Sequence, residues 1–267
     1  MIPKIIHYCW FGEKEKPYLL QECIDTWYKL LPDYQIIEWN NSNYIPHSFY
    51  TQKAFEEKKW AFLSDYVRLE KLYEMGGIYL DTDMYLINNF SSLDLSKEII
   101  ICAEDNERLN AAFMASVMNH EFLKYCINYY NELSINKDFD YLPIPIIITH
   151  LFKKFYNKEI NFTENIDTNE FLLLVKDYFY PFPYAHKHNK SNFLKYAKEN
   201  TIAIHLWDHS WKEKDEFDYL KNQQYIQAFK IIFNKLFSFQ KKHYIGYYHS
   251  IKDFAVNRYN FFSRNDN

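Results

Sequence analysis

Apolar runs of strand length alternate along the chain with stretches of helical periodicity. Apolar runs cover residues 2–10 and 34–39, and a helical pattern that starts at Pro17 and is closed by Pro32 lies between them. A nearly continuous apolar run is typical of a parallel strand covered on both faces, and proline suits the first turn of a helix. The order strand, helix, strand predicts a three-layer α/β fold.

The same alternation continues further along the chain. It predicts strands at residues 98–103 and 201–207 and helices at residues 119–133, 146–156 and 217–239. Asn119 is the predicted cap of the first of these helices. Because the chain shows no internal repeat or linker, we expect one domain over residues 1–240, which includes added C-terminal helices. A basic, aromatic extension over residues 241–267 is expected to pack on the same domain.

Residues 61–85 carry the most informative pattern of the sequence. Asp65 and Arg68 are three residues apart in a predicted helix, which places them on one face. Gly76 and Gly77 are expected to end this helix, because glycine takes the left-handed cap conformation without a Cβ penalty. A strand is predicted to start directly after the two glycines.

Asp81 and Asp83 lie in that predicted strand. They alternate with apolar residues, and a period of two points both carboxylates to the same side. Two converging carboxylates with a cation nearby suit a divalent metal that holds a phosphate-bearing ligand, because hard oxygen ligands match Mg²⁺ or Mn²⁺. A second Asp-x-Asp pair, Asp138 and Asp140, follows a polar run without such surroundings and is interpreted as a solvated loop.

Taken together, these motifs resemble glycosyltransferase family 32, the DXD sugar-binding group, and are more distantly similar to the glucosyltransferase domain of the large clostridial toxins. The residues that carry the resemblance, in the family's order, are 2–7 with 10–12, 61 with 64–68, 76–83 and 205–211. The resemblance implies a nucleotide-diphosphate-sugar donor and a metal-dependent retaining transfer. It also implies the GT-A-type nucleotide-sugar-binding fold, in which helices flank a mixed, mostly parallel sheet.

The resemblance also implies roles for individual residues. Asp65 and Arg68 would hydrogen-bond the donor sugar, because a carboxylate accepts from two adjacent hydroxyls and a guanidinium offers forked donors. Trp10 would stack on the nucleotide base, with ordinary core packing as the open alternative. Asp105 and Asn110 would contact the acceptor, because their stretch resembles the family's donor-to-acceptor loop.

The predicted catalytic set consists of Asp65, Arg68, Asp81 and Asp83. Asp83 is the first choice for a direct metal ligand, while Asp81 would share the metal or hold ribose and sugar hydroxyls. The metal would neutralise the diphosphate as the glycosidic bond breaks.

Residues 205–211, His-Leu-Trp-Asp-His-Ser-Trp, cover the end of the strand predicted at 201–207 and the residues that follow it. Their polar groups are expected at the carboxyl end of the strand, where open α/β sheets bind ligands. His205 is the favoured third metal ligand, and Asp208 and His209 remain open alternatives. Ser210 and Trp211 are candidate donors to the diphosphate. Residues 178–192, rich in proline, aromatic residues and histidine, are interpreted as an ordered loop that borders a cleft.

Composition limits the classes of binding partner and the cellular compartment that we expect for this chain. A formal net charge of −4 argues against a nucleic-acid partner. The cysteines lie in apolar stretches without metal-binding spacing, which predicts buried free thiols in a reducing compartment. We see no secretory signal and no apolar stretch of membrane-spanning length, so a cytoplasmic location is expected.

Residues 230–264 are basic and aromatic, with seven Lys or Arg against one acid. Clustered cations with interleaved aromatic residues suit the surface of an anionic membrane, where a polyprenyl-diphosphate-linked acceptor would lie. A solvated helix face with packed aromatic residues is the alternative. The membrane interpretation predicts peripheral contact with the inner face of the cytoplasmic membrane.

The predicted function is transfer of a hexose or N-acetylhexosamine from a UDP-type donor to a bacterial surface glycan, such as a capsule, O-antigen or lipooligosaccharide precursor. A toxin-like transferase that modifies a host protein is an alternative in the same class. A haloacid-dehalogenase phosphatase is an alternative from a second enzyme class, but its pattern needs Thr or Val where this chain has Tyr85. A glycan-binding module without catalysis would not need all four charged residues of the catalytic set.

Overall fold

The described strands, in chain order, are β1 (Ile5–Cys9), β2 (Gln35–Trp39), β3 (Gly77–Leu80), β4 (Met84–Leu86), β5 (Ile99–Ala103), β6 (Leu109–Ser116), β7 (Ile166–Asp167), β8 (Leu172–Leu174) and β9 (Ala203–His205). The described helices are α1 (Tyr18–Leu30), α2 (Phe49–Glu56), α3 (Trp60–Met75), α4 (Glu121–Leu133), α5 (Ile144–Phe155) and α6 (Tyr225–Phe237). A computed structural model describes residues 1–135, 139–156, 160–187, 190–208 and 225–237. Two compact units make up the chain, Met1–Trp211 and Lys212–Asn267.

The central sheet of the first unit is mixed and mostly parallel. Its seven strands have the order β2-β1-β3-β6-β5-β8-β7. Strands β2, β1, β3, β5 and β8 share one direction, and β6 and β7 run the opposite way. The predicted sheet type is confirmed. Strands β4 and β9 form a separate antiparallel pair.

Apolar layers cover both faces of the central sheet. On one face α3 and α4 bury side chains such as Val67 and Phe122. On the other face α1 packs through Ile24 and Trp27, beside the small β4–β9 sheet. The indole of Trp27 donates its Nε1–H to the carbonyl oxygen of Met84 at 2.7 Å, which ties α1 to β4. The free cysteines are buried, as predicted: Cys9, Cys23, Cys102 and Cys126.

Two glycines form the break between α3 and β3. Gly76 and Gly77 have φ values of 63° and 105°. A Cβ on Gly77 would lie 2.6 Å from the carbonyl oxygen of Ile5, so a side chain there would push β3 away from β1. The ring of His7 connects this break to β2. Its Nε2 bonds the carbonyl oxygen of Gly76 at 2.8 Å, and its Nδ1 accepts the indole N–H of Trp39. The glycine break thus brings the end of α3 and the start of β3 close together.

The prediction that one strand contains both Asp81 and Asp83 is wrong. Strand β3 ends at Leu80, and the N–H of Met84 donates to the carbonyl oxygen of Asp81 at 3.0 Å, which closes a tight turn. After this turn the chain leaves the central sheet, and β4 pairs with β9. A turn, and not the period of one strand, therefore brings the two carboxylates together.

Other predicted boundaries also differ from the structure. Helix α4 is capped by His120, whose ring accepts the N–H of Phe122 at 3.2 Å, while the predicted cap Asn119 has a positive φ of 59° and precedes the helix. The strand predicted at 201–207 is shorter and belongs to the small sheet. Strand β6 was not predicted, because its sequence LNAAFMAS has neither β-branched residues nor alternating polarity.

In the second unit, the described residues form α6, which lies within the helix predicted at 217–239. Tyr225, Ile226 and Phe229 are exposed on this helix. None of the described helices is both long and apolar enough to span a membrane. The extension predicted over 241–267 lies outside the described residues.

Candidate active site

Arg68 is the centre of a buried ion-pair cluster. Helix α3 presents it one turn after Asp65, and its Nη2 lies 2.9 Å from Asp65 Oδ1. Its Nη1 lies 3.2 Å from Asp81 Oδ1 and donates to the carbonyl oxygen of Ala111 at 2.8 Å. Its Nε donates to the carbonyl oxygen of Ser64 at 3.3 Å. The protein itself therefore engages most of the guanidinium donors, which fixes this side chain.

Burial controls the charge of this cluster. Asp65 and Arg68 are only 7% and 5% exposed, and the guanidinium carbon lies 4.5 Å from the ring centroid of Tyr79. Burial raises the pKa of Asp65 to about 7, although the attraction of Arg68 opposes this rise. The backbone N–H of Ile144, at the start of α5, also acts to lower the pKa of Asp65. The ionised form of Asp65 therefore depends on its cationic neighbour.

Strand β6 supports the cluster through its backbone. The N–H of Asp81 donates to the carbonyl oxygen of Ala112 at 2.9 Å. The neighbouring carbonyl, that of Ala111, accepts the bond from Arg68. Two successive carbonyls of β6 thus hold Arg68, which lies in α3, and Asp81, which follows β3.

Asp83 is held by the end of β9 and the residues that follow it. Its Oδ1 lies 3.1 Å from His205 Nε2, and its Oδ2 accepts the N–H of Asp208 at 2.6 Å. Its backbone carbonyl accepts the N–H of Leu206 at 3.0 Å. Trp207 has a φ of 53°, which few non-glycine residues adopt. This turn lies between the residues whose N–H groups bond Asp83.

Asp81, Asp83 and His205 form a group suited to a divalent cation. One ligand atom from each residue lies within 4.8 Å of the others. Two carboxylates and an imidazole are donors that several divalent metals accept, Mn²⁺ among them. Nδ1 of His205 is buried and has no hydrogen-bond partner among the residues that the structure describes. The donor set therefore fits a metal.

Electrostatics of the buried pair support the same fit. Burial alone lowers the pKa of His205, but attraction to Asp83 raises it above its ordinary value. Burial alone raises the pKa of Asp83, but His205, the N–H of Asp208 and the charge of Lys190 keep it below its ordinary value. A protonated imidazole and a carboxylate thus face each other, and a divalent cation can replace the proton between them.

Trp10 follows β1 at the sheet edge where Asp81 lies, because the register pairs His7 of β1 with Tyr79 of β3. Its ring is half-buried, and its Nε1–H donates to the carbonyl oxygen of Lys14 at 2.8 Å. The structure thus places Trp10 at the carboxyl ends of the parallel strands, where open α/β sheets commonly bind ligands. Stacking of this ring on a nucleotide base stays a prediction.

Asp105 and Asn110 belong to the hairpin that joins β5 and β6. Asp105 lies in the turn, where its carboxylate pairs with Arg108 at 2.9 Å. Asn110 lies within β6, and its side chain donates to Glu104 Oε2 at 2.7 Å and accepts the N–H of Ala112 at 2.8 Å. Contact of either residue with an acceptor stays a prediction.

Several predicted residues lie outside the described part of the chain: His209, Ser210 and Trp211. Of the two described candidates for the third metal ligand, His205 belongs to the cation-binding group. The side chain of Asp208 instead pairs with Lys190, whose Nζ lies 2.5 Å from Oδ1.

Sequence reasoning missed two charged residues beside this site, Glu104 and Lys190. The side chain of Glu104 is 10% exposed, burial raises its pKa, and its charge helps to raise the pKa of His205. Lys190 pairs with Asp208, which in turn bonds Asp83. Glu104 begins the stretch that resembles the family's donor-to-acceptor loop, in which only Asp105 and Asn110 were singled out, and Lys190 lies in the segment 178–192 that was interpreted as bordering a cleft.

The sequence is similar to those of known glycosyltransferases. Residues 17–100 match the family described as the glycosyltransferase sugar-binding region containing a DXD motif. The chain is 29% identical to lactosylceramide 4-alpha-galactosyltransferase of Rattus norvegicus over 172 residues, which are 59% of this chain and 43% of that protein. The Homo sapiens protein of the same name is 26% identical over 161 residues, 55% of this chain and 41% of its own length. The chain thus spans less than half the length of these relatives.

The fold is also that of a known glycosyltransferase. The solved structure of "PaToxG Glycosyltransferase" superposes with a TM-score of 0.50 at 20% identity, over 58% of this chain and 70% of that one. This likeness concerns the fold alone, and it confirms the GT-A-type architecture. The match over residues 17–100 shows that the chain carries the DXD-containing sugar-binding region of a glycosyltransferase family.

Proposed function

We propose that this chain, with its glycosyltransferase domain, is a metal-dependent retaining glycosyltransferase. The observation that carries the proposal is the grouping of Asp81, Asp83 and His205 within 4.8 Å, directly beside the buried pair of Asp65 and Arg68. Carboxylates for a cation and a fixed guanidinium–carboxylate pair for sugar hydroxyls are the two elements that such a transfer needs.

Each residue of the site has a defined part in this proposal. A divalent cation, Mn²⁺ or Mg²⁺, supplies the positive charge that stabilises the diphosphate leaving group. Asp83 and His205 would hold it together with Asp81, whose side chain is 29% exposed and also pairs with Arg68. Asp65 accepts hydrogen bonds from donor-sugar hydroxyls, and Arg68 keeps it ionised and in place. A retaining transfer in which the acceptor hydroxyl attacks from the leaving-group side needs no protein nucleophile.

The proposed donor is a UDP-hexose or UDP-N-acetylhexosamine, and the proposed acceptor is a bacterial surface glycan or its lipid-linked precursor. The names of the curated relatives support this class, since they describe alpha-galactosyl transfer to a glycan that is attached to a lipid. Trp10 would provide a stacking surface for the base, at the edge of the sheet where the metal-binding residues lie.

A donor screen without acceptor tests the proposed function. We expect slow, Mn²⁺-dependent release of nucleoside diphosphate from a uridine donor, and little release from guanosine or cytidine donors. Because the cation stabilises the leaving group, excess chelator should stop the release, and added Mn²⁺ should restore it. Absence of both release and binding for every nucleotide sugar in the screen would disprove the proposal.

Helix α6 and the basic segment that begins within it support a membrane-associated acceptor. Tyr225, Ile226 and Phe229 are exposed on this helix beside the exposed Lys230. The sequence from residue 230 to 264 carries a net charge of +6, from seven cations and one acid. Apolar side chains with clustered cations suit the interface of an anionic bilayer, where each Lys or Arg contributes about 1 kcal/mol.

Vesicle sedimentation of the whole chain tests this contact. We expect the protein to sediment with vesicles that contain phosphatidylglycerol and to remain in solution with pure phosphatidylcholine vesicles. Raising the salt concentration should release it, because screening weakens the electrostatic part of the attraction. Equal behaviour with both kinds of vesicle at low salt would contradict the electrostatic contact.

A further inference from the structure

Lys190 is a partly exposed cation beside the proposed metal site. It starts the short 3₁₀ stretch Lys190–Tyr196, and its Nζ lies 2.5 Å from Asp208 Oδ1. The side chains of Lys190 and Asp208 are 23% and 26% exposed, so a ligand can reach the pair from solvent.

Asp208 links this lysine to the metal-binding group. Its N–H donates to Asp83 Oδ2 at 2.6 Å, so its own side chain starts next to a proposed metal ligand. The preceding residue, Trp207, adopts its left-handed conformation and donates its Nε1–H to the carbonyl oxygen of Phe182 at 2.7 Å. The Lys190 ammonium thus pairs with Asp208, which a fixed turn holds against the proposed metal ligand Asp83.

The charges at the site leave a need for one more cation. The three carboxylates of Asp65, Asp81 and Asp83 balance the charge of Arg68 and the two charges of a divalent metal. Arg68 is engaged by Asp65, by Asp81 and by two backbone carbonyls. A nucleoside diphosphate brings further negative charge into this partly buried place, and such charge must be paired.

A lysine that is held by an exchangeable carboxylate meets this need. An ammonium acts as a flexible point charge with three donors and is a common ligand of phosphate groups. Asp208 can release the ammonium and stay in place, because its N–H remains bonded to Asp83. Exchange of one partly exposed anion for another requires no rearrangement of the core.

We propose that Lys190 binds the diphosphate of the nucleotide donor, and that Asp208 holds the ammonium in position before the diphosphate enters. This inference rests on the proposed function, since it names a further ligand contact of the same site. The group recognised is the diphosphate, and the base and the sugar are left to other residues.

Titration calorimetry with UDP in the presence of Mn²⁺ tests the proposal. Lys190→Met is expected to weaken UDP binding by about tenfold or more, the usual effect of losing a hydrogen bond to a charged group. Its affinity for Mn²⁺ alone should not fall, because the lysine contacts neither Asp83 nor His205 in the described structure and its charge, which acts on Asp83, opposes a second cation. Its melting temperature should stay at the wild-type value. Lys190→Arg keeps the charge and should retain most of the UDP affinity.

Lys198→Met is the matched control. Lys198 belongs to the same region of the chain and also forms a lysine–aspartate pair, with Asp177 at 2.7 Å. Lys198 precedes β9, whereas the proposed metal ligand His205 is the last residue of that strand. Removal of the Lys198 side chain should therefore leave UDP binding unchanged. An equal loss in both variants would contradict a specific role for Lys190.

The outcomes separate this inference from the proposed function. Wild-type UDP affinity in Lys190→Met would overturn the inference and leave the proposed function intact. A parallel loss of Mn²⁺ affinity or of melting temperature would also overturn it, because Lys190 would then support the structure of the site. If the wild-type chain binds no nucleoside diphosphate with Mn²⁺, the proposed function itself fails. Should Lys190→Met not fold, Lys190→Gln gives the same comparison.

Discussion

Replacing Asp83 with asparagine is expected to abolish metal-dependent turnover and to leave the fold intact. Asparagine keeps the shape of the side chain and can still accept the N–H of Asp208, but it lacks the charge that binds a divalent cation. A bound metal contributes several kcal/mol, and about 1.4 kcal/mol corresponds to a tenfold change in rate, so we expect a loss of about a thousandfold. Release of nucleoside diphosphate and calorimetric Mn²⁺ affinity measure the effect.

The chain contains its own control for this substitution. Asp140 belongs to the second Asp-x-Asp pair and is exposed. Asp140→Asn removes the same charge from the same spacing, and it should leave turnover and Mn²⁺ affinity unchanged. If Asp83→Asn kept turnover within about tenfold of the wild type at saturating Mn²⁺, the assignment of Asp83 as a metal ligand would be wrong.

Local sequence patterns predicted the elements that have a continuous signal of their own. Strands β1, β2 and β5 and helices α1 and α5 lie within a few residues of the predicted ranges, because an apolar run or a helical period marks each one. Strand β6 has no such signal. Its small residues, such as Ala115, pair with Ile78 of β3 and Ile100 of β5, which are contacts between distant parts of the chain.

The site shows the same division between local and distant contacts. The spacing of Asp81 and Asp83 identified them as a pair, but their convergence depends on the turn between β3 and β4 and on the pairing of β4 with β9. The bond from Asp208 to Asp83 joins residues 125 positions apart, which no periodicity can indicate. For the same reason the sequence could not show that β6 engages Arg68 or that Lys190 reaches the site.

Replacing Arg68 with methionine is expected to reduce both stability and turnover. Loss of the guanidinium leaves Asp65 buried without its ion pair, and removal of one partner from a buried pair costs about 3–5 kcal/mol. Burial already raises the pKa of Asp65 to about 7, and without Arg68 this pKa rises further. The unfolded chain releases that proton at lower pH, so the folded state of the variant loses stability as the pH rises. Chemical denaturation should therefore show a larger loss at about pH 8 than at about pH 5.

Lys198→Met is the control for this stability effect. Lys198 pairs with Asp177 at 2.7 Å, but its side chain is more than half exposed, and exposed pairs contribute about 0–1 kcal/mol. The control should therefore show a small loss in denaturation experiments, with little dependence on pH. A loss as large as that of Arg68→Met would mean that the burial of Arg68 is not the cause.

A double variant separates the role of Arg68 in folding from its role at the site. Arg68→Met with Asp65→Asn removes the unpaired carboxylate and should recover part of the lost stability. Turnover should stay at least about a hundredfold below wild type and also below that of Asp65→Asn alone, because Asp81 and the Ala111 carbonyl still lack the guanidinium that joins them. Arg68→Lys should lie between these limits, since one ammonium cannot contact both carboxylates and the β6 backbone in the same geometry. Recovery of turnover together with stability in the double variant would show that Arg68 serves the fold alone.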